Sequence, residues 1–378
     1  MSEAMQMMTL GQAHAWVPGS RLVGDAATPI GRVHTDTRTL AAGDLFVALK
    51  GDATDGHRFV DQALAQGAAG ILASEPVAGP HVLVTDTTAA LDALGIAARA
   101  RVAGKIIGVT GSVWKTSVKE ALFAALERAD AGGAHRSLKS YNNQVGVPLS
   151  LARMPAATRF GVFEMGMNHA GELAALTRLV RPDVALVTTV ALAHGAFFKD
   201  ESAIADAKGE IFQGLVAGGI AVIPNDSPHR DRLVAAATPH AGEIVTFGRD
   251  ATADVYVREQ LAGAKGTFVQ AQLRSCELSF TVGPPGEHWV DNALAILATV
   301  EAAGGDLAAA GLALADMAGL PGRGQRRRVP VADGEALLID ESYNANPASM
   351  RATLRMLGAE PSRRRIAILG GMRELGPD

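Results

Sequence analysis

Residues 108–120 read GVTGSVWKTSVKE, and the pair Lys115–Thr116 is where chemistry could begin. A lysine followed by a hydroxyl after a glycine-containing turn is the ending of G-x-x-x-x-G-K-[ST]. In that loop backbone N–H groups and the lysine hold phosphates, and the hydroxyl holds Mg²⁺. The chain departs from the pattern twice: the first glycine slot falls on Val109 and the second on Trp114. Context supplies what the pattern lacks. A β-rich run (KIIGVT, 105–110) precedes the loop and an Ala/Leu-rich helical run (KEALFAALERA, 119–129) follows it. The lysine and hydroxyl therefore fall at a helix start, where free N–H groups and the positive dipole end attract an anion. A glycine before the lysine lets the backbone pass close to phosphate. An indole there predicts strain and impaired nucleotide binding.

Other residues have the right chemistry but weaker patterns. Glu164, closing the apolar run FGVFE, is a hard oxygen donor suited to Mg²⁺, or else a strand-end carboxylate in water. Asn142 and Asn143 suit a polar loop reaching substrate or phosphate, though an Asn-Asn pair also simply makes turns. By themselves His194 reads as a satisfied loop histidine and Lys208 as a solvated helix lysine. Arg323, in the Gly-rich stretch GRG, is either a phosphate contact between domains or an exposed linker residue. Cys276, the one cysteine, lies in an alternating run and reads as a plain sheet residue.

The elements that would position these residues follow from periodicity. Residues 1–104 alternate short strands (GDLFVALKG, HVLVTDT) with helical patterns, forming a small α/β unit expected to be one domain. From Lys105 a second α/β region carries strongly apolar strands, KIIGVT, FGVFEMG, VALVTTV and GIAVIP, with helices between them. Such strands imply a mostly parallel sheet covered on both faces. This central domain is expected to span 105–325. The stretch LPGRGQRRRVPV (320–331) reads as a linker, followed by strand 336–340, helix 349–357 and strand 365–371. Residues 326–378 read as the opening β-α-β of a third, incomplete domain, since one such unit cannot bury its own faces.

The totals narrow the class. With 378 residues, two or three domains are expected. The chain is 48% hydrophobic and 20% charged with a formal net charge of −4, which offers no concentrated basic surface for nucleic acid. No window approaches the roughly 18 uninterrupted apolar residues of a membrane span. The N-terminus lacks the basic start and apolar stretch of a signal peptide, and a single cysteine suits a reducing compartment, so a cytoplasmic location is expected.

Eight blocks, in order, resemble the Mur ligase family. They are HTDTRTLAAGDLFVALKGDATDGHRFVDQALAQGA, TGSVWKTSVKE, YNNQVGVPLSLARMP, FEMGMNHAGE, AHGAFF with IADAKGEIF, GEHWVDNALA, GRGQRRR and DESYNANPASM. The YNANP run, in place of a D-N-P-R motif, is similar to the branch that handles D-alanyl-D-alanine. The resemblance implies three domains: one for a UDP-sugar precursor, a central phosphate-loop ATPase, and a C-terminal Rossmann-like domain for the incoming amine. It implies a cytoplasmic, monomeric, ATP- and Mg²⁺-dependent amide ligase of peptidoglycan assembly. Its partners would be UDP-N-acetylmuramoyl-tripeptide and D-alanyl-D-alanine, joined through an acyl phosphate, with neither nucleic acid nor membrane insertion involved.

Carried over residue by residue, the resemblance assigns ATP to Gly108, Thr110, Gly111, Ser112, Lys115, Thr116, Ser117, His288, Asn292 and Arg323. It assigns catalysis to Lys115, Glu164, His194 and Lys208, and Mg²⁺, two ions of it, to Thr116, Glu164, His194 and a carbamylated Lys208. Substrate contacts fall on Asp36, Thr37, Arg38, Asn142, Asn143, Asn168, His169, Asn344 and Asn346. Besides Trp114, Gly195, Glu341 and Gly371 depart from the family pattern. Two alternatives stay open: a catalytically impaired relative that binds the UDP-muramoyl peptide without ligase activity, and a folate-polyglutamate-type ligase. The N-terminal DTR and DGH blocks argue against the latter.

Overall fold

The computed structural model describes residues 7–51, 54–192, 197–263, 265–331 and 334–372. They divide into two compact units: Met1–Gly104 with Ser137–Arg159, and Lys105–Arg136 with Phe160–Asp378.

The first unit is built on a five-stranded sheet in the order Arg21–Val23, His81–Leu83, Gly70–Ala73, Asp44–Val47, Arg32–His34. All neighbours are parallel except the first pair. Asp44–Val47 and Gly70–Ala73 are buried along their whole length, as parallel strands covered on both faces must be. Helix Thr87–Ala100 starts at Asp86, whose carboxylate accepts from the backbone N–H groups of Thr88 and Ala89. The segment 137–159 belongs to this unit because helix Gly146–Ala152 packs on Thr87–Ala100. It also places Leu149 and Ala152 in the same core as Val33, Leu45, Leu91 and Leu94.

The second unit holds a nine-stranded sheet. Its order is Glu277–Val282, Gly266–Gln272, Val255–Gly263, Glu243–Gly248, Ile220–Pro224, Val184–Val187, Lys105–Thr110, Phe160–Glu164, Ala134–Arg136. From Val255–Gly263 to Ala134–Arg136 every pairing is parallel, and the remaining two strands add antiparallel. The mixed α/β class with a large, mostly parallel sheet follows from the apolar runs, and Val184–Val187 and Phe160–Glu164 are fully buried. Helices Lys115–Ala129 and Glu287–Ala302 contribute Leu122, Leu126, Val290, Leu294 and Leu297 to the core beneath it.

Three local expectations need correction. Part of the supposed linker is a strand: Gln325–Val331 pairs antiparallel with Gly334–Asp340 as a separate two-stranded sheet. The arginine-rich composition masked an alternating run that finds a partner just downstream. Conversely, residues 365–371 form no strand, because an apolar extended run is a strand only where a neighbour takes its backbone hydrogen bonds. Cys276 lies exposed in the turn before Glu277–Val282 rather than inside a strand. Among the described residues no helix is long and apolar enough to cross a membrane.

Candidate functional site

The loop after strand Lys105–Thr110 is held in place by the neighbouring strand end. Ser112 N–H donates to Thr189 O (2.7 Å), and Thr188 Oγ1 donates to Val113 O (2.8 Å). Ser112 Oγ donates to Ala191 O (2.8 Å) and accepts from Ala191 N–H (3.0 Å). Gly111 fits only as glycine, since a Cβ there would run into the Thr188 hydroxyl. Gly108 lies within the strand, where a Cβ would come 2.6 Å from the Met165 methyl, so sheet packing accounts for it. The loop then turns into helix Lys115–Ala129, whose first residues include the buried Thr116 and Ser117.

Lys115 folds back over the loop and donates to Gly111 O (2.7 Å). Burial pushes its ammonium pKa down, the Glu164 carboxylate pulls it up, and Arg323 pushes it down again. Glu164 closes its strand one row away from Thr110, in register with Val109, and is 1% exposed. Lys208 ends helix Glu201–Gly209 and is 2% exposed. Burial, helped by the Lys115 charge, lowers its pKa well below the ordinary lysine value. Lys115 is thus in electrostatic reach of Glu164, Lys208 and Arg323 at once, which draws four segments of the chain to one loop. The Thr110 hydroxyl is buried here with no hydrogen-bond partner among the described residues.

Trp114 is the N-cap of the loop helix at φ +68°, the left-handed conformation that glycine adopts freely and an indole does not. Its ring does not fill the phosphate turn. It leaves the loop and stacks on His288, with ring centroids 4.3 Å apart and planes 16° from parallel. His288 opens helix Glu287–Ala302, and burial lowers its pKa to about 4, so the imidazole is neutral at pH 7. Asn292, on the same helix face, is 3% exposed with an amide nitrogen that lacks any acceptor among the described residues.

Other predicted residues are held by local structure. Asn168 N–H and His169 Nδ1 both bond Glu172 (2.8 and 3.0 Å), and both residues are exposed. Arg323 lies 4.2 Å above the Tyr343 ring. Asn346 caps helix Pro347–Ala359 in a capping box with Ser349, while the exposed Asn344 accepts from Ala345 N–H (2.9 Å). His194 lies outside the described residues. Among those described, no three His, Cys, Asp or Glu side chains converge on one point.

In the first unit Asp36, Thr37, Arg38 and Asn143 line one cleft of about 650 Å³ with Tyr141, Phe46, Phe59 and Gln62. Asp36 forms a paired contact with Arg38, whose side chain hydrogen bonds hold the Asp36 carboxyl at about 2. Thr37 Oγ1 donates to Gln62 Oε1 (3.2 Å). Asn143 Oδ1 accepts from Gly146 N–H (2.9 Å), the turn that its type suggested. Behind the cleft His34 is buried. Its Nδ1 accepts from the N–H groups of Thr35 (3.0 Å) and Asp36 (3.2 Å), which shapes the turn carrying Asp36 to Arg38.

Three contributors gave little sequence signal. Thr188 acts through one of two adjacent hydroxyls that interrupt the apolar run VALVTTV. Tyr141 reaches the cleft only because segment 137–159 joins the first unit. Glu210 accepts from Gly171 N–H (2.7 Å) and Ala174 N–H (3.1 Å) at the start of helix Glu172–Val180. Its only hint was a position just after Lys208.

Comparison with known proteins gives consistent neighbours. Residues 109–300 match the Mur ligase middle domain, and residues 29–128 match the description "Mur ligase family, catalytic domain". The chain is 36% identical to the UDP-N-acetylmuramoyl-tripeptide–D-alanyl-D-alanine ligase of Escherichia coli (strain K12), covering 92% of this chain and 75% of that protein. It superposes on the MurF crystal structure from Acinetobacter baumannii with a TM-score of 0.86 at 30% identity, covering 98% of this chain and 80% of that one. It also superposes on the MurF ligase of Thermotoga maritima in complex with ADP, with a TM-score of 0.77 at 27% identity, covering 92% and 78%.

Proposed function

The chain belongs to the Mur ligase family, and from that premise we propose that it is an ATP-dependent ligase joining D-alanyl-D-alanine to UDP-N-acetylmuramoyl-tripeptide. The observation that carries the reading is the phosphate loop whose Lys115 sits in electrostatic reach of Glu164, Lys208 and Arg323. Residues 1–104, joined by 137–159, would serve the UDP precursor through the Asp36–Arg38 cleft, the rest of 105–325 the nucleotide, and 326–378 the amine. Asn142, Asn143, Asn168, His169, Asn344 and Asn346 are assigned substrate contacts under the same reading.

The residues fit the nucleotide: Lys115 stands at a helix N-terminus, where phosphates would sit, and the Thr110 hydroxyl and Asn292 amide nitrogen have no partner among the described residues. Thr116 and Glu164 are oxygen donors of the kind Mg²⁺ takes, and the resemblance adds His194, which lies outside the described residues. Bound there, Mg²⁺ would neutralise charge building on the transferred phosphoryl group. Lys208 would join the set only as a carbamate: burial favours the neutral amine, the form that can add CO₂, lose a proton and become an anion.

Phosphoryl transfer is mainly positioning and charge compensation. Lys115 and Arg323 would hold the β- and γ-phosphates while the tripeptide carboxylate takes the γ-phosphoryl group and ADP departs. The dipeptide amine then attacks the activated carbonyl. The amide bond forms, the C–O bond to phosphate breaks, and the amine proton leaves with solvent.

The test is product analysis with both substrates and Mg·ATP. ADP and phosphate should appear in step with the pentapeptide product, and only when both substrates are present. Release of AMP and pyrophosphate instead would refute the acyl-phosphate route. A second reading, a relative that binds the UDP precursor without turnover, is favoured by Trp114 in the glycine slot. It predicts precursor binding with no ADP formed.

A further inference from the structure

We propose that Trp114 acts as a built-in stand-in for the nucleobase, covering the His288 face against which the base of a bound nucleotide would stack. The proposal rests on the nucleotide reading above, and the observations that carry it are specific to this chain. Trp114 leads directly into Lys115 at φ +68°, and its side chain leaves the loop towards the helix face that carries His288 and Asn292. The ring found there is an indole, parallel to His288 at 4.3 Å, which leaves no room for a second ring between them. Under the same helix face lies the buried Asn292 amide nitrogen without an acceptor among the described residues. A stacked indole presents no hydrogen-bond acceptor, so it covers the aromatic face but leaves the polar group unsatisfied. A purine would supply both, a π-face and ring nitrogens that accept.

Trp114 therefore sets nucleotide affinity through the base rather than through the phosphates. An alternative account, a bulky residue distorting the loop, predicts the same gain whether or not the ligand carries a base. The experiment measures binding of Mg·ATP and of Mg·tripolyphosphate, which has no base, by calorimetry. It uses the full chain, Trp114→Gly and Trp114→Ala. A stacked aromatic pair is worth about two- to thirteenfold in an equilibrium constant. Both variants should bind ATP tighter by about that factor, with tripolyphosphate affinity unchanged in Trp114→Ala. Equal gains for the two ligands would assign the effect to loop strain and overturn the inference. Weaker ATP binding in both variants would make the indole a wall of the base site and overturn it too. Failure of every protein to bind either ligand would refute the nucleotide reading itself, a result distinct from these.

Discussion

Glu210 offers the sharpest test of how the site is held together. Its two carboxylate oxygens accept from Gly171 N–H and Ala174 N–H, so one side chain caps helix Glu172–Val180 from another segment. Gly171 ends the loop that begins at Glu164, and Glu210 follows Lys208 by a single glycine. Replacing Glu210 by alanine removes both acceptors and a negative charge from a helix N-terminus. Loss of an N-cap costs about 0.5–2 kcal/mol, and loss of the charge–dipole attraction about 0.3–1 kcal/mol. Because the site is half-buried, water can replace part of each, leaving about 1–2 kcal/mol in all. Glutamine keeps one carbonyl acceptor and should cost about half of that. Hydrogen exchange at the Gly171 and Ala174 amides reads the effect directly. Both should exchange about 5- to 30-fold faster in Glu210→Ala, whereas Thr246 N–H, held by Asp254, should not change. Turnover should fall more than nucleotide affinity, because the clamp ties the segment that carries Lys208 to the end of the loop that begins at Glu164 and lies outside the phosphate loop itself. Unchanged protection at both amides in the alanine variant would refute the clamp.

Other consequences can be checked independently. Burial, and next the Arg153 charge, lower the His34 pKa to about 4. The folded first unit therefore binds fewer protons than the unfolded chain between about pH 4 and 6.5. Its stability should be complete above pH 6.5 and fall by about 3 kcal/mol as pH drops towards 4. Urea unfolding of His34→Gln should show a correspondingly flatter pH profile, and an identical slope would count against the assignment. Gly111→Ala would press a methyl group onto the Thr188 hydroxyl, at a cost of about 1–3 kcal/mol. Calorimetry should find nucleotide affinity lowered at least about tenfold; unchanged affinity would mean the loop yields easily. Lys208→Met replaces a buried amine by an apolar side chain of similar length. Its denaturation midpoint should hold or rise while phosphate release falls, and a destabilised but active variant would contradict the placement.

The loop, its strand and its helix were legible because each is a local pattern: an apolar run, a glycine turn, a Lys-Thr pair and a helical stretch. The strands around Glu164 and Val184 were legible for the same reason, since burial on both faces leaves a continuous apolar signature. The direction of the Trp114 ring was not. A positive φ can be expected from a glycine slot, but the partner that takes the indole lies far along the chain at His288. The burial of Lys208 was equally hidden, because a lysine near a helix end looks solvated until neighbouring segments close over it. The strand expected at 365–371 failed for the complementary reason: strand pairing is a property of two segments.

By itself, then, the sequence determined the α/β class, the phosphate loop, and which residue types stand ready to meet phosphate, metal and substrate. Only the tertiary structure decided that segment 137–159 joins the first unit and lends Tyr141 and Asn143 to the Asp36–Arg38 cleft. It alone decided that Glu210 clamps the helix after Glu164, and that Trp114 lies on His288. Propensity and periodicity act over a few residues and are written in order along the chain. Burial, stacking and hydrogen bonding between distant segments depend on which surfaces the packed core brings together.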